Sequence, residues 1–213
     1  MAAGKGTRMK SRLPKVLQRL AGKPLLGHVL DTAAQLQARS AVVITGHGAD
    51  EVEAAVAQRA SGLAVKFVRQ EPQLGTGHAV QQAVPVLADD GLVVVLSGDV
   101  PLTHADTLQT LIACVRQAGA TADSLALLTL DMPNPTGYGR IVRTAQGDSV
   151  QAIVEQKDAS PEQLKIQEVY SGIMAVPAKQ LKTWLAKLDN KNAQGEYYLT
   201  DVVKWAVADG VKV

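Results

Sequence analysis

Residues 91–101 read GLVVVLSGDVP, and this stretch decides the fold. The unbroken apolar run at 92–96 leaves no polar side to face water, so the segment is a strand covered on both faces of its sheet. A sheet of that kind carries helices on both sides. The flanking sequence supplies them. Residues 77–87, GHAVQQAVPVL, and 103–117, THADTLQTLIACVRQ, both have helical spacing, the second with Thr103 as its cap.

The alternation continues outward. Residues 24–36 place Leu26, Val29, Leu30, Ala33 and Leu36 at helical spacing behind Pro24, which favours a helix start. The β-branched run AVVIT at 41–45, a helix over 49–59, and the strands LAVKFVR at 63–69 and SLALLTL at 124–130 follow. Parallel strands joined by helices cross over right-handedly. The first two thirds are therefore predicted to form a Rossmann-like, three-layer α/β sandwich on a mostly parallel mixed sheet.

Beyond Asp131 the rhythm changes. Residues 139–144 and 149–156 flank AQGD as a hairpin, 169–177 is a further strand, and 178–188 and 199–210 are helices. The last has Thr200 and Asp201 at its start and Gly210 at its end. Trp184 and Trp205 fall on apolar helical faces and are expected in the core.

At 213 residues, 46% of them hydrophobic, the chain suits one domain with a sizeable core. Its 22 basic and 20 acidic residues include no cationic arm, which argues against a nucleic-acid partner. The lone Cys114 is expected as a reduced core residue. With no long apolar span and no signal-peptide pattern, no membrane partner and a cytoplasmic location are expected.

Ligands of open parallel sheets bind at the carboxyl ends of the strands, where AAGKGTRM, RQEPQLGTGHA, SGDVP and IVEQKD are predicted to converge. AAGKGTRM at 2–9 matches neither the P-loop nor the dinucleotide glycine pattern. It is a glycine-rich turn whose amides, with Lys5 and Arg8, suit an anion; a flexible surface loop is the alternative. In SGDVP, Asp99 is a candidate for Mg²⁺, or a turn cap before Pro101. His28, His47, His78 and His104 lack metal-ligand spacing and are expected to be structural or solvent-facing.

Seven segments in order, AAGKGTRM, LPKVL, QLGTGHA, SGDVP, PTGYGRI, IVEQKDA and GEYYLTD, resemble the uridylyltransferase domain of bacterial bifunctional N-acetylglucosamine-1-phosphate uridylyltransferases/glucosamine-1-phosphate acetyltransferases. The resemblance runs over nearly the whole chain. It implies the nucleotide-diphospho-sugar transferase fold, with Mg²⁺ as cofactor. The implied reaction converts UTP and N-acetylglucosamine 1-phosphate to UDP-N-acetylglucosamine and pyrophosphate. It also implies site residues. Ala2, Ala3 and Gly4 would line the nucleotide, Arg8 would stabilise the leaving pyrophosphate, and Lys15 would hold phosphate oxygens. Gln70 would read uracil, with Gly75 and Thr76 letting backbone approach base and ribose. Ser97, Gly98 and the metal ligand Asp99 would border the reacting phosphates, while Gly139 and Glu155 would contact the sugar. Tyr197 and Thr200 would border the sugar pocket, Thr200 being equally well explained as a helix cap.

Three departures stand against that pattern. Tyr170 occupies a sugar-contacting position where the family commonly has Asn. By the resemblance, a first apolar strand would precede Met1. An Asn second metal ligand and the hexapeptide-repeat acetyltransferase domain through which full-length members trimerise would follow Val213. The expectation is thus a single domain over 1–213, incomplete at both ends. Alternatives are a nucleotidyltransferase for another sugar phosphate, or a fragment that binds nucleotide without turnover.

Overall fold

The apolar run opening this account is a strand with one neighbour from far along the chain: Leu92–Val95 pairs antiparallel with Glu168–Pro177. A computed structural model describes residues 1–6, 9–59, 62–117 and 124–213. In chain order the elements are β1 (Arg19–Leu20), β2 (Lys23–Pro24), α1 (Leu25–Gln35), β3 (Ala41–Thr45), α2 (Ala49–Ala57), β4 (Val65–Arg69), α3 (Thr76–Gln81) and β5 (Leu92–Val95). There follow α4 (Ala105–Gln117), β6 (Ala126–Asp131), β7 (Arg140–Arg143), β8 (Val150–Val154), β9 (Glu168–Pro177), α5 (Ala178–Leu185) and α6 (Asp201–Ala208).

The chain is α/β with mixed pairing, as its sequence predicts. The parallel part is narrow: β3 and β4 pair in parallel from Ala41↔Val65 to Thr45↔Arg69, with α2 as the crossover. In the larger sheet β9 is the organising strand, antiparallel to β5, β6 and β7, and β7 forms a hairpin with β8. Backbone bonds from residues 1–3 join the two sheets. Ala2 N donates to Ile44 O at 2.8 Å, Met1 N to Leu96 O at 2.7 Å, and Gly98 N to Met1 O at 2.8 Å. The start of the glycine loop is therefore fixed between the ends of β3 and β5.

Burial follows the apolar periodicity. Helix α1 buries Leu26, Val29 and Leu30, and α4 buries Leu108, Leu111 and Val115. Cys114 lies roughly a quarter turn off that stripe and is exposed, which corrects its expected place in the core. Trp184 is a core residue, 1% exposed, but Trp205 is only partly buried. The amines of Lys187 and Lys204 stand 5.3 and 5.5 Å from the Trp205 ring centroid, as cations do over an open aromatic face.

Other boundaries shift for local reasons. The helix expected over 77–87 gives way after Gln81 to a 3-10 turn at Val84–Val86, where Pro85 supplies no amide hydrogen. Helix α4 starts at Ala105, so Thr103 is not its cap; its carbonyl accepts from Thr32 Oγ1 at 3.3 Å. The short β1–β2 hairpin has no periodic signal and was not expected. No helix among the described residues is long and apolar enough to cross a membrane.

Candidate active site

The glycine loop lies against the carboxyl ends of β3 and β5. Ala2 and Ala3 are buried, while Gly4 is exposed with open space where a side chain would stand. Ala3 O accepts from His47 N at 3.2 Å and from Gln73 Nε2. Gly46 makes this seat possible: a Cβ there would lie 2.9 Å from both Ala3 O and Ala3 Cβ. Gly98 plays the same part on the other side, its Cβ position 2.9 Å from Met1 O. Arg8 lies outside the described residues.

Lys15 reaches this loop from the 3-10 turn Lys15–Leu17, which is anchored by buried Val16 and Leu17. Its amine forms an ion pair with Asp99 Oδ2, the two side chains being 42% and 26% exposed. Two residues 84 positions apart, singled out from LPKVL and SGDVP, thus meet beside the glycine loop, Lys15 packing where a Cβ on Gly6 would stand and Asp99 following the Gly98 amide that donates to Met1 O. Ser97 faces β9, since a Cβ on Gly172 (φ +87°) would lie 3.1 Å from Ser97 Oγ.

A second group surrounds Gln70, which is 5% exposed. Its amide nitrogen donates to Gly75 O at 2.8 Å and faces His78 Nδ1 at 3.3 Å. The expectation that this amide both donates and accepts is narrowed: its nitrogen is engaged within the chain, leaving the oxygen for a ligand. Gly75 (φ +114°) and Thr76 hold the GEYYLTD segment. A Cβ on Gly75 would meet Tyr197 O at 2.6 Å, and Thr76 Oγ1 accepts from Leu199 N at 3.0 Å. Gly75 and Thr76 thus meet this chain's own GEYYLTD segment and, through Gly75 O, the Gln70 side chain.

The third group joins Gly139, Glu155, Tyr170 and Thr200. Gly139 O accepts from Tyr170 N at 2.9 Å, and Glu155 Oε1 lies 3.6 Å from the Cβ position of Gly139. Thr200 Oγ1 donates to Glu155 Oε1 at 3.0 Å and makes no side-chain cap bond to α6. Burial pushes the Glu155 carboxyl above its ordinary range; the Thr200 bond offsets part of this, and Asp201, Asp158 and Glu196 add repulsion. Tyr170 is 8% exposed, and its hydroxyl is buried without a hydrogen-bond partner, its phenol pushed up by burial and by Glu155.

Sequence reasoning missed Gln156. Its Oε1 accepts from Gly137 N at 3.0 Å and from Arg140 Nη2 at 2.7 Å, clamping the loop that presents Gly139. Gly46 and Gly172 were also missed; close packing against residues distant in sequence leaves no local signal at either.

The model of the MobA-like NTP transferase domain matches residues 1–126. The chain is 71% identical over 216 residues to "Bifunctional protein GlmU" of Albidiferax ferrireducens and 69% identical over 213 residues to the protein of that name in Paracidovorax citrulli. All of this chain is covered, and it spans about 45% and 44% of those relatives' lengths. A UDP-glucose pyrophosphorylase complexed with UDP-glucose superposes with a TM-score of 0.76 at 16% identity, covering 100% of this chain and 86% of that one. A putative glucose-1-phosphate thymidylyltransferase from Bacillus anthracis gives 0.74 at 19%, covering 99% and 82%. At these identities the structures speak for the fold.

Proposed function

We propose, since the chain belongs to the MobA-like NTP transferase domain family, that it transfers UMP from UTP to N-acetylglucosamine 1-phosphate, giving UDP-N-acetylglucosamine and pyrophosphate. The observation that carries this reading is the meeting of Lys15 and Asp99 beside the glycine loop, where a Cβ on Gly6 would lie 2.7 Å from Lys15 Cβ and Gly98 N donates to Met1 O. The relatives of high identity, which share this chain's whole length, support the choice of nucleotide and sugar.

The reaction is an in-line displacement. A phosphate oxygen of the sugar phosphate forms a bond to the α-phosphorus of UTP, the bond from that phosphorus to the bridging oxygen breaks, and its electron pair leaves with pyrophosphate. Catalysis is then positioning and charge neutralisation. Lys15 supplies a compact charge to the phosphates, and Arg8 a planar fork of donors to the leaving group. The amides that follow Ala2 and the open space at Gly4 admit the nucleotide. Gln70 offers its oxygen to the N3–H of uracil beside Gly75 and Thr76. Glu155 accepts from sugar hydroxyls over Gly139, with Tyr170 closing the floor of that pocket.

Asp99 fits a divalent cation. Its carboxylate is partly exposed at a strand end. One carboxylate completed by phosphates and water is the donor set Mg²⁺ favours, and the bound ion would draw charge from the phosphates. Substrates of this kind place the enzyme in the cytoplasm.

The test is pyrophosphate release by the purified chain across a panel of nucleoside triphosphates and sugar 1-phosphates. UTP with N-acetylglucosamine 1-phosphate should exceed every other pair. Preference for another sugar phosphate would overturn the assignment of substrate, and nucleotide binding without release would overturn turnover itself.

A further inference from the structure

A cavity of about 180 Å³ lies between α1 and α2, and none of the candidate active-site residues lines it. Its apolar wall includes Leu17, Pro24, Leu26 and Val56. This volume is well above the ~10–15 Å³ that one water needs, and away from the polar edge formed by Lys23, Gln58 and Arg59 its apolar wall offers a water none of the two to four polar partners it requires. Apolar groups suit it better.

The polar edge is cationic. Lys23 and Arg59 both line the cavity and both pair with Asp31, so two positive charges share one carboxylate. The Arg59 side chain is only 17% exposed, and its Nη1 is buried with no hydrogen-bond partner among the described residues. With one carboxylate between them, Lys23 and Arg59 leave a net positive charge at the cavity edge, which a further anionic oxygen would balance at the partly exposed Lys23 amine and the remaining guanidinium donors.

We infer that this cavity binds a small amphiphilic monoanion, an aliphatic carboxylate, with its head at Arg59 and Lys23 and its chain against Leu17, Pro24, Leu26 and Val56. The charge complementarity selects a carboxylate over a neutral hydrocarbon, and the apolar walls select a chain over a bare ion. Such a ligand would press on Leu17, two residues from Lys15 in the same 3-10 turn.

The experiment is calorimetric titration of the chain with linear carboxylates from butanoate to octanoate, with octan-1-ol and inorganic phosphate as comparisons. Affinity should rise about fourfold per methylene until the cavity is filled, and octan-1-ol and phosphate should each bind at least about tenfold more weakly than octanoate. Arg59→Gln should remove the charge preference. Ala55→Leu, which fills the cavity from α2 without touching the charges, should abolish octanoate binding while its thermal melt shows the chain folded. Absence of saturable octanoate binding at millimolar concentration would overturn the inference, as would equal binding of octan-1-ol, equal binding of phosphate, or octanoate binding unchanged in folded Ala55→Leu.

Discussion

Lys15, at the start of the 3-10 turn Lys15–Leu17, and Asp99, just beyond β5, form an ion pair beside the glycine loop. In the proposed reaction, phosphate and divalent cation meet at this pair. Each partner is a stand-in for what the other would face during turnover: the amine for a metal, the carboxylate for a phosphate. Nucleotide binding should therefore separate them.

Asp99→Asn is expected to lower turnover about 100-fold or more, the loss typical of a positioned charge. Both side chains are partly exposed, so the pair contributes little to folding. Thermal melts should shift only slightly. Comparing melts with rates at saturating Mg²⁺ checks this, and near-normal turnover would remove Asp99 from the mechanism.

Gln70→Glu should weaken uridine nucleotides by roughly 1–3 kcal/mol, because a carboxylate cannot donate to Gly75 O and would oppose that carbonyl directly. Titration with UTP and with a purine triphosphate measures it. Unchanged UTP affinity would place uracil recognition elsewhere.

Gly75→Ala is expected to destabilise the chain by at least ~1–3 kcal/mol, since it puts a side chain on a left-handed residue and against the Tyr197 backbone. The urea midpoint should fall accordingly. A midpoint equal to the parent's would show that QLGTGHA and GEYYLTD do not interlock as described.

Glu155 has a raised pKa in the folded chain, so between its ordinary value of 4.5 and the folded value the native state holds more protons than the unfolded state. Its contribution to stability is full below 4.5 and is lost as pH rises through the folded pKa. Glu155→Gln should accordingly be more stable than the parent at neutral pH, with the difference shrinking toward pH 4.5, while sugar-phosphate affinity falls. Denaturant midpoints across that range test the sign; a growing difference in acid would contradict it.

What could be read in the sequence was what is local. The unbroken apolar run of β5 and the spaced Leu26, Val29 and Leu30 of α1 each satisfy a burial rule within one element, and both elements stand where expected. The pairing of β5 with β9 joins residues about 80 positions apart and follows from packing rather than from either segment's composition. Cys114 lies close enough to an apolar stripe to resemble a core residue, and a fraction of a helical turn puts it outside. For the site, Lys15, Asp99, Gly139 and Glu155 were nameable through motif resemblance. The clamp by Gln156, the partner of Thr200 and the committed amide of Gln70 depend on side-chain contacts between segments and could not be read in order along the chain.

The most direct test of the central claim follows the atoms. N-acetylglucosamine 1-phosphate carrying oxygen-18 in its phosphate should be mixed with UTP, Mg²⁺ and the purified chain, and the products resolved by mass spectrometry. Attack by the sugar phosphate on the α-phosphorus predicts UDP-N-acetylglucosamine retaining all of the label and pyrophosphate carrying none. Label in pyrophosphate, or an unlabelled UDP-sugar, would contradict the account.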